Sequence, residues 1–323
     1  MGSGIAGRKL FFLINPKAGQ GKEAAWWQAM RGKLDDRGLD YSWAYTLGGK
    51  ASSDQARRAV IEQKARAVVA VGGDGSLYDV INGLVEKDTL IHPDVVLSAC
   101  PSGSGCDFAH FLYDGRKKPN LLELLETGII KPIDLGRCRY VDMNGKPTSS
   151  YYINSFDAGA GADTCIAVNA KDGRLKKLLK GKLAFMLSAI RVLMSFSYTS
   201  AQIILDDKER ISGEYIIMAA GNGRYMGGNM CMFPKAELND GKLDVFLVCR
   251  RNRLAILFLF ARVYDGSITK IKDVISRQVH SLQISCAHPI PIELDGEVPG
   301  VTDVELSIVP AALPFLFPDS RKA

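Results

Sequence analysis

Leu10-Phe11-Phe12-Leu13-Ile14 is an unbroken apolar run, the pattern of a strand buried on both faces. Asn15-Pro16 ends it before glycines and a helical stretch from Glu23. Tyr41 to Thr46 reads as a second strand, and Ala51 to Lys64 as a helix with Ser52 and Ser53 as N-cap candidates. Ala67 to Val71 is a third buried strand, Gly72 to Gly75 a tight loop, Leu77 to Val85 a helix and Val95 to Ala99 a fourth strand. Strand and helix alternating in this way predict an α/β domain over residues 8–133, its parallel sheet covered on both faces.

After Ile133 the pattern changes. Tyr151 to Asn154, Ala201 to Leu205, Glu214 to Ala219, Leu243 to Val248, Ser281 to Ser285 and Ile290 to Leu294 are short strands separated by turn-forming pairs. They predict a mainly antiparallel β domain over 134–318, entered near Lys131 to Asp134. Two segments of helical periodicity interrupt it, Arg174 to Ser195 and Arg253 to Tyr264. No repeat of solenoid period is present.

A length of 323 residues agrees with two packed cores, and 47% hydrophobic with 24% charged residues excludes disordered, collagenous and coiled-coil classes. The net charge of +6 is not gathered into the dense clusters of a nucleic-acid binder, so no nucleic-acid partner is expected. Seven cysteines, none spaced C-x-x-C, signal neither a disulfide framework nor a zinc knuckle and fit a reducing cytoplasm. The four histidines stand in no metal-ligand spacing. Leu254 to Phe260, the most apolar run, is far shorter than the ~20 residues that span a bilayer. No apolar leader with a cleavage site follows Met1, so secretion is not expected.

Three glycine-bearing loops carry the candidate chemistry. Asn15-Pro16-Lys17-Ala18-Gly19-Gln20-Gly21-Lys22 follows a strand and opens a helix, where backbone N–H groups and the helix dipole favour an anion. It is not a phosphate-binding Walker A loop, since Pro16 and Glu23 occupy positions that motif reserves for glycine and a hydroxyl residue. It nearly matches a dinucleotide fingerprint, yet the second strand ends at Thr46 with no ribose-binding acid. A glycine-rich turn packing helix on strand explains this loop equally well. Gly72-Gly73-Asp74-Gly75-Ser76 lets the backbone approach a ligand while leaving one carboxylate and one hydroxyl; as an alternative, Asp74 and Ser76 cap the next helix. Pro101-Ser102-Gly103-Ser104-Gly105-Cys106-Asp107-Phe108 follows another strand of the same sheet, so all three loops converge on its carboxyl edge. Asp295-Gly296-Glu297 and Asn239-Asp240-Gly241-Lys242 read, by spacing alone, as hairpin and polar turns. Gly221 to Gly228 is a further glycine-rich stretch, in which Arg224 could meet a phosphate or head group or merely line a cleft.

Taken in order, Asn15-Pro16 with Gly19, Gly72 to Ser76, Pro101 to Ser104 with Asp107-Phe108, Asn239 to Leu243 and Asp295 to Glu297 resemble the diacylglycerol kinase catalytic-domain family. That family includes bacterial soluble lipid kinases and the sphingosine and ceramide kinases, and the resemblance covers about Lys9 to Pro318. It implies a nucleotide-binding α/β domain of the NAD kinase and diacylglycerol kinase type, a β-sandwich second domain and an active site in the interdomain cleft. ATP phosphates are then expected near Asn15, Pro16, Lys17, Ala18 and Gly19 and near Gly72, Gly73, Asp74, Gly75, Ser76, Leu77 and Tyr78, with Thr46 and Ser104 beside the nucleotide. Glu297 is implied as the base, with Asp295 second and Asp74 a third catalytic carboxylate. A magnesium ion is implied at Asp240, with Glu237 and Lys242 adding backbone carbonyls. Ser76 and Ser104 stand where threonine is common, and Cys106 and Tyr78 where asparagine is common, which puts a hydrogen bond at Cys106 in question.

The resemblance implies an ATP- and magnesium-dependent lipid kinase, cytoplasmic and peripherally membrane-associated, with diacylglycerol the leading acceptor and phosphatidic acid the product. Phosphatidylglycerol, a sphingoid base or another lipid alcohol are the alternatives, and a homodimer is left open. NAD kinases and phosphofructokinases carry similar glycine-aspartate loops, which keeps a kinase of a soluble substrate as the rival enzyme and a non-catalytic nucleotide-binding module as the rival of another class. From Cys165 to Ser200 seven basic residues face one acid, and the lysines of 171–182 border apolar residues. That segment is the expected membrane contact; a helix with a solvated basic side is the plainer reading.

Overall fold

The computed structural model describes residues 4–21, 23–102, 106–113, 120–169, 182–250, 252 and 262–319. Two compact units emerge, one of Met1–Asp134 with Pro310–Ala323 and one of Leu135–Val309.

In the first unit the chain runs β1 (Leu10–Ile14), α1 (Glu23–Asp35), β2 (Tyr41–Tyr45), α2 (Lys50–Ile61), β3 (Ala67–Gly72), α3 (Asp74–Leu84), the small hairpin β4 (Val85–Glu86) and β5 (Thr89–Leu90), β6 (Val96–Pro101), α4 (Asp107–Tyr113) and α5 (Leu121–Thr127). β1 pairs in parallel with β2 on one side and β3 on the other, and β3 pairs in parallel with β6. Every residue of β1, β3 and β6 is buried, as their apolar runs require of a sheet covered on both faces. Under α1 and α5 the core gathers Phe12, Ile14, Trp27, Val69, Val71 and Leu125, with the Phe12 and Trp27 rings 5.0 Å apart.

Three expectations change here. α2 starts from Gly49 with no side-chain cap; Ser52 instead accepts a 2.8 Å hydrogen bond from the Gly48 N–H, so neither serine fills the cap position. α3 begins at Asp74 rather than Leu77, because glycine and polar residues in its first turn carry no apolar period to read. The second domain does not extend to 318: from Pro310 the chain belongs to the first unit, where Phe315 pairs in parallel with Leu97 and stacks edge-on against Phe108 at 5.4 Å. Leu313, Phe315 and Leu316 are buried there, which removes their apolar area from water.

The second unit is built from β7 (Ile129–Asp142), which enters it without a break, β8 (Pro147–Tyr152), β9 (Ser155–Gly159), α6 (Ala160–Asn169), α7 (Lys182–Ser195), β10 (Thr199–Leu205), β11 (Glu209–Gly221), β12 (Leu243–Cys249), β13 (Val274–Val279), β14 (Ser281–Cys286), β15 (Pro291–Leu294) and β16 (Glu297–Phe317). Its pairings are antiparallel, as expected, and long strands serve two neighbourhoods. β11 pairs through Glu209 to Tyr215 with β10 and, past an irregularity at Tyr215 to Ile217, through Ile217 to Gly221 with β9. β16 pairs near its start with β15 and further on with β14. Such a register break bends the strand and increases its twist. The domain boundary expected near Lys131 to Asp134 lies next to the division of the units at Asp134 and Leu135, inside the continuous strand β7. The helix read over Arg174 to Ser195 is described from Lys182 onward; most of Arg253 to Tyr264 lies outside the described residues.

Candidate functional site

In the first unit the chain steps from β1 to β2 on one side and returns to β3 on the other. The segments leaving β1 and β3 therefore diverge at the carboxyl edge, and open α/β sheets bind ligands at such a switch point. The two strand ends are held close by the Asn15 N–H, which donates to the Val71 carbonyl at 2.8 Å. A Cβ on Gly72 would fall 2.2 Å from Ser76 Oγ and 3.2 Å from Asn15 Cβ, so only glycine lets this turn fold back against its neighbour. After β1, the Asn15 side chain accepts from the Lys17 N–H at 3.0 Å, and Pro16 to Gly19 pass into a short 3-10 turn, Ala18–Gly21. Ser102, beyond β6, donates its hydroxyl to the Glu23 carboxylate in the first turn of α1, tying the loops after β1 and β6 together. The Thr46 N–H donates to the Ile14 carbonyl at 2.9 Å, which places Thr46 at the same edge.

Gly73 is the N-cap of α3 and has no side chain to occupy the N–H groups of the first turn, which leaves the positive end of the helix dipole for an anion. Asp74 does not cap its own helix. Its Oδ2 accepts from the Asp107 N–H at 2.8 Å and its Oδ1 from the Phe108 N–H at 3.1 Å, so it holds the start of α4. The Cys106 thiol donates to the same Oδ1 at 3.2 Å; burial first, and the Asp74 carboxylate second, raise that thiol well above its ordinary range. The departure from asparagine thus keeps a hydrogen bond. Gly72, Ser76, Leu77 and Tyr78 are buried, so in this stretch the backbone of Gly73 and Gly75 remains for a ligand. Ser104 lies outside the described residues.

In the second unit the turn Asp295-Gly296-Glu297 joins β15 to β16. Its two acids are placed in opposite ways. Asp295 is buried, and its carboxylate accepts from the N–H groups of Ile153 at 2.7 Å, Asn154 at 2.9 Å and Ser155 at 2.9 Å. Burial pushes its pKa up to about 6 against the pull of those three donors. Glu297 is exposed, and the protein around it still raises its carboxyl above the usual glutamate value by desolvation. Gly296 between them is gripped on both sides: its N–H donates to Glu293, and its carbonyl accepts from the Cys165 thiol at 3.0 Å. Glu297 is thus a solvent-facing carboxylate on a clamped turn, the arrangement a proton acceptor needs, while Asp295 is occupied in anchoring it.

Asp240 accepts from the Lys242 N–H at 3.0 Å, forming the expected polar turn. It lies close enough to Asp244 to help raise that carboxyl to about 6, burial being the main cause. Glu237, three residues before it, is exposed. Two neighbouring carboxylates and turn carbonyls are the hard oxygen donors magnesium takes. Among the described residues no three His, Cys, Asp or Glu side chains form a metal cluster, so backbone oxygens would have to complete this site. Arg224 donates through Nε to the Ala236 carbonyl at 3.1 Å, which places that nitrogen in the wall of the loop.

Sequence reasoning missed Glu23, Cys165, Glu293 and Asp157. Their one visible signal is for the last two, single acids inside apolar strands, since Ile292-Glu293-Leu294 and Phe156-Asp157-Ala158 have buried neighbours on both sides.

Residues 9–138 match the diacylglycerol kinase catalytic domain, and residues 157–317 match the YegS C-terminal NAD kinase beta sandwich-like domain. A probable lipid kinase YegS-like from Xanthomonas oryzae pv. oryzae is 30% identical over 294 residues, spanning 89% of this chain and 90% of its own. A diacylglycerol kinase from Mycobacterium tuberculosis is 26% identical over 314 residues, spanning 96% of this chain and 95% of its own. The crystal structure of a putative diacylglycerol kinase from Bacillus anthracis str. Sterne has the same fold, with a TM-score of 0.74 at 21% identity over 97% of this chain and 96% of that one.

Proposed function

The chain belongs to the diacylglycerol kinase family of lipid kinases, and on that premise we propose that it phosphorylates diacylglycerol to phosphatidic acid with magnesium-bound ATP. It is a phosphotransferase with an alcohol acceptor and uses ATP. The observation that supports a base for the transfer is the opposite placement of Asp295 and Glu297, one locked to backbone N–H groups and one facing solvent with its pKa raised; diacylglycerol as acceptor is supported by the relatives named diacylglycerol kinase.

In the proposed reaction the N–H groups at the starts of α1 and α3 receive the ATP phosphates, where the helix dipoles favour negative charge. Asp74 keeps α4 seated beside them. Glu297 takes the proton from the acceptor hydroxyl as its oxygen bonds to the γ-phosphorus, and the bond to the β,γ-bridging oxygen breaks to release ADP. Asp295 positions the turn. Magnesium, when bound, supplies charge neutralisation; Asp240, with backbone carbonyls at Glu237 and Lys242, would hold a second, structural ion.

No helix among the described residues is long and apolar enough to cross a membrane. A lipid acceptor then has to be reached from the surface, and the basic run of 171–182 is the proposed contact with an anionic bilayer.

The deciding experiment is a panel of diacylglycerol, phosphatidylglycerol, a sphingoid base, NAD and a sugar phosphate offered with γ-labelled ATP and magnesium. Label is expected on diacylglycerol. Label confined to another lipid overturns the substrate, and label confined to NAD or a sugar phosphate overturns the lipid reading.

A further inference from the structure

Ile153 and Asn154 join β8 to β9, whose first residue is Ser155. The N–H groups and the carbonyls of this short segment go to different places. All three N–H groups hold the Asp295 carboxylate, and the Ser155 carbonyl accepts in return from the Asp295 N–H at 3.1 Å. The other two carbonyls receive the glycine-rich stretch at the end of β11. The Asn154 carbonyl accepts from the N–H groups of Asn222 and Gly223, both at 2.9 Å, and the Ile153 carbonyl accepts from Asn222 Nδ2 at 2.8 Å.

The Asn154 side chain joins the second set. It is 2% exposed, and its Nδ2 donates to the Tyr225 carbonyl at 2.5 Å. Its Oδ1 is buried with no hydrogen-bond partner among the described residues, and a Cβ on Gly223 would lie 2.0 Å from it, so the amide is pressed onto a position that only glycine fits. A buried oxygen without a donor costs stability, a cost an apolar side chain would not carry. What the amide supplies in exchange is its donor to the loop. Asn154 is thus bonded to two separate parts of the second unit: through its N–H to the anchor of the Asp295 to Glu297 turn, and through its carbonyl and Nδ2 to residues 222–225.

We propose that Asn154 is a positioning residue that couples the stretch 221–225 to the turn carrying Glu297, so that displacing one displaces the other. The catalytic consequence rests on the reading of Glu297 as the base; the coupling does not. Arg224 lies within the coupled stretch, its Nε on the Ala236 carbonyl, so the loop bearing this cation and the turn bearing the carboxylate move as one body.

The test uses two variants that disturb the amide from opposite sides. Asn154→Ala removes the Nδ2 donor and keeps the backbone; Gly223→Ala drives a methyl group against Oδ1 and keeps Asn154. Amide hydrogen exchange read by peptide mass spectrometry is expected to quicken about tenfold or more at 221–226 and at 293–298 in both variants, with β12 exchanging as in the parent. Faster exchange at 221–226 with 293–298 unchanged, or a uniform rise that includes β12, overturns the coupling. On a lipid acceptor, well below the melting temperature, kcat is expected to fall about tenfold or more in both variants with KM for ATP unchanged. The acid limb set by Glu297 is expected to move toward the ordinary glutamate value as its desolvation is relieved. Parental kcat, or a lowered kcat with that limb unmoved, overturns the positioning role. Full turnover by Glu297→Gln would remove Glu297 as base, while the exchange result still decides the coupling.

Discussion

The thiol of Cys106 and the carboxylate of Asp74 meet at 3.2 Å across two loops that lie far apart in sequence. Asp74 is thereby the common acceptor for a thiol and for two backbone N–H groups at the start of α4. This carboxylate does its work between secondary-structure elements.

Asp74→Ala is expected to strand those donors and to destabilise the protein by on the order of 3 kcal/mol, with ATP affinity lost as well. Cys106→Asn keeps a donor for Asp74 and is expected to retain stability and turnover, whereas Cys106→Val loses the hydrogen bond. Denaturant unfolding and ATP titration check all three. Equal ATP binding by the Asp74→Ala variant would remove Asp74 from the nucleotide site.

Glu297→Gln is expected to lower kcat by about two to four orders of magnitude with unchanged melting temperature and ATP affinity. Asp295→Asn is expected to do the reverse, lowering the melting temperature first, because an amide NH₂ must face backbone N–H donors. Steady-state kinetics and thermal melts separate the two.

The pH dependence of kcat/KM should show an acid limb set by Glu297. Desolvation raises its pKa above 4.5, so the ionised, proton-accepting form disappears as pH falls through a value higher than that of free glutamate. The limb should be missing from the residual activity of Glu297→Gln.

Asp240→Ala is expected to lose bound magnesium and turnover together, read by elemental analysis and kinetics on the same sample. Full magnesium content in the variant would leave Asp240 as a turn former only.

Lys176→Glu, Lys177→Glu and Lys180→Glu combined should weaken binding to anionic vesicles by at least tenfold, given about 1 kcal/mol per basic residue near such a surface. Activity on a detergent-dispersed acceptor should persist. Cosedimentation equal to that of the parent at low salt would place the membrane contact elsewhere.

The parallel sheet, the loops at its carboxyl edge and the antiparallel second half were legible in the chain because each rests on local pattern. Buried runs such as Leu10 to Ile14 and Ala67 to Val71 have little choice of environment, and glycines after a strand mark where backbone must come close. Ordered motifs extended that reading to a family. Residue roles that depend on distant partners were not legible. Asp295 and Glu297 are two positions apart and chemically alike, and only the arrival of the Ile153 to Ser155 backbone makes one an anchor and leaves the other facing solvent. Asp157 and Glu293 are register partners because β9 and β15, far apart in sequence, run side by side in the second unit. Phe315, an ordinary apolar residue in sequence, closes the first unit's sheet because Leu97 and Phe108 offer it a dry place to pack. Burial is a property of the assembled chain, and burial is what separates a structural carboxylate from a reactive one.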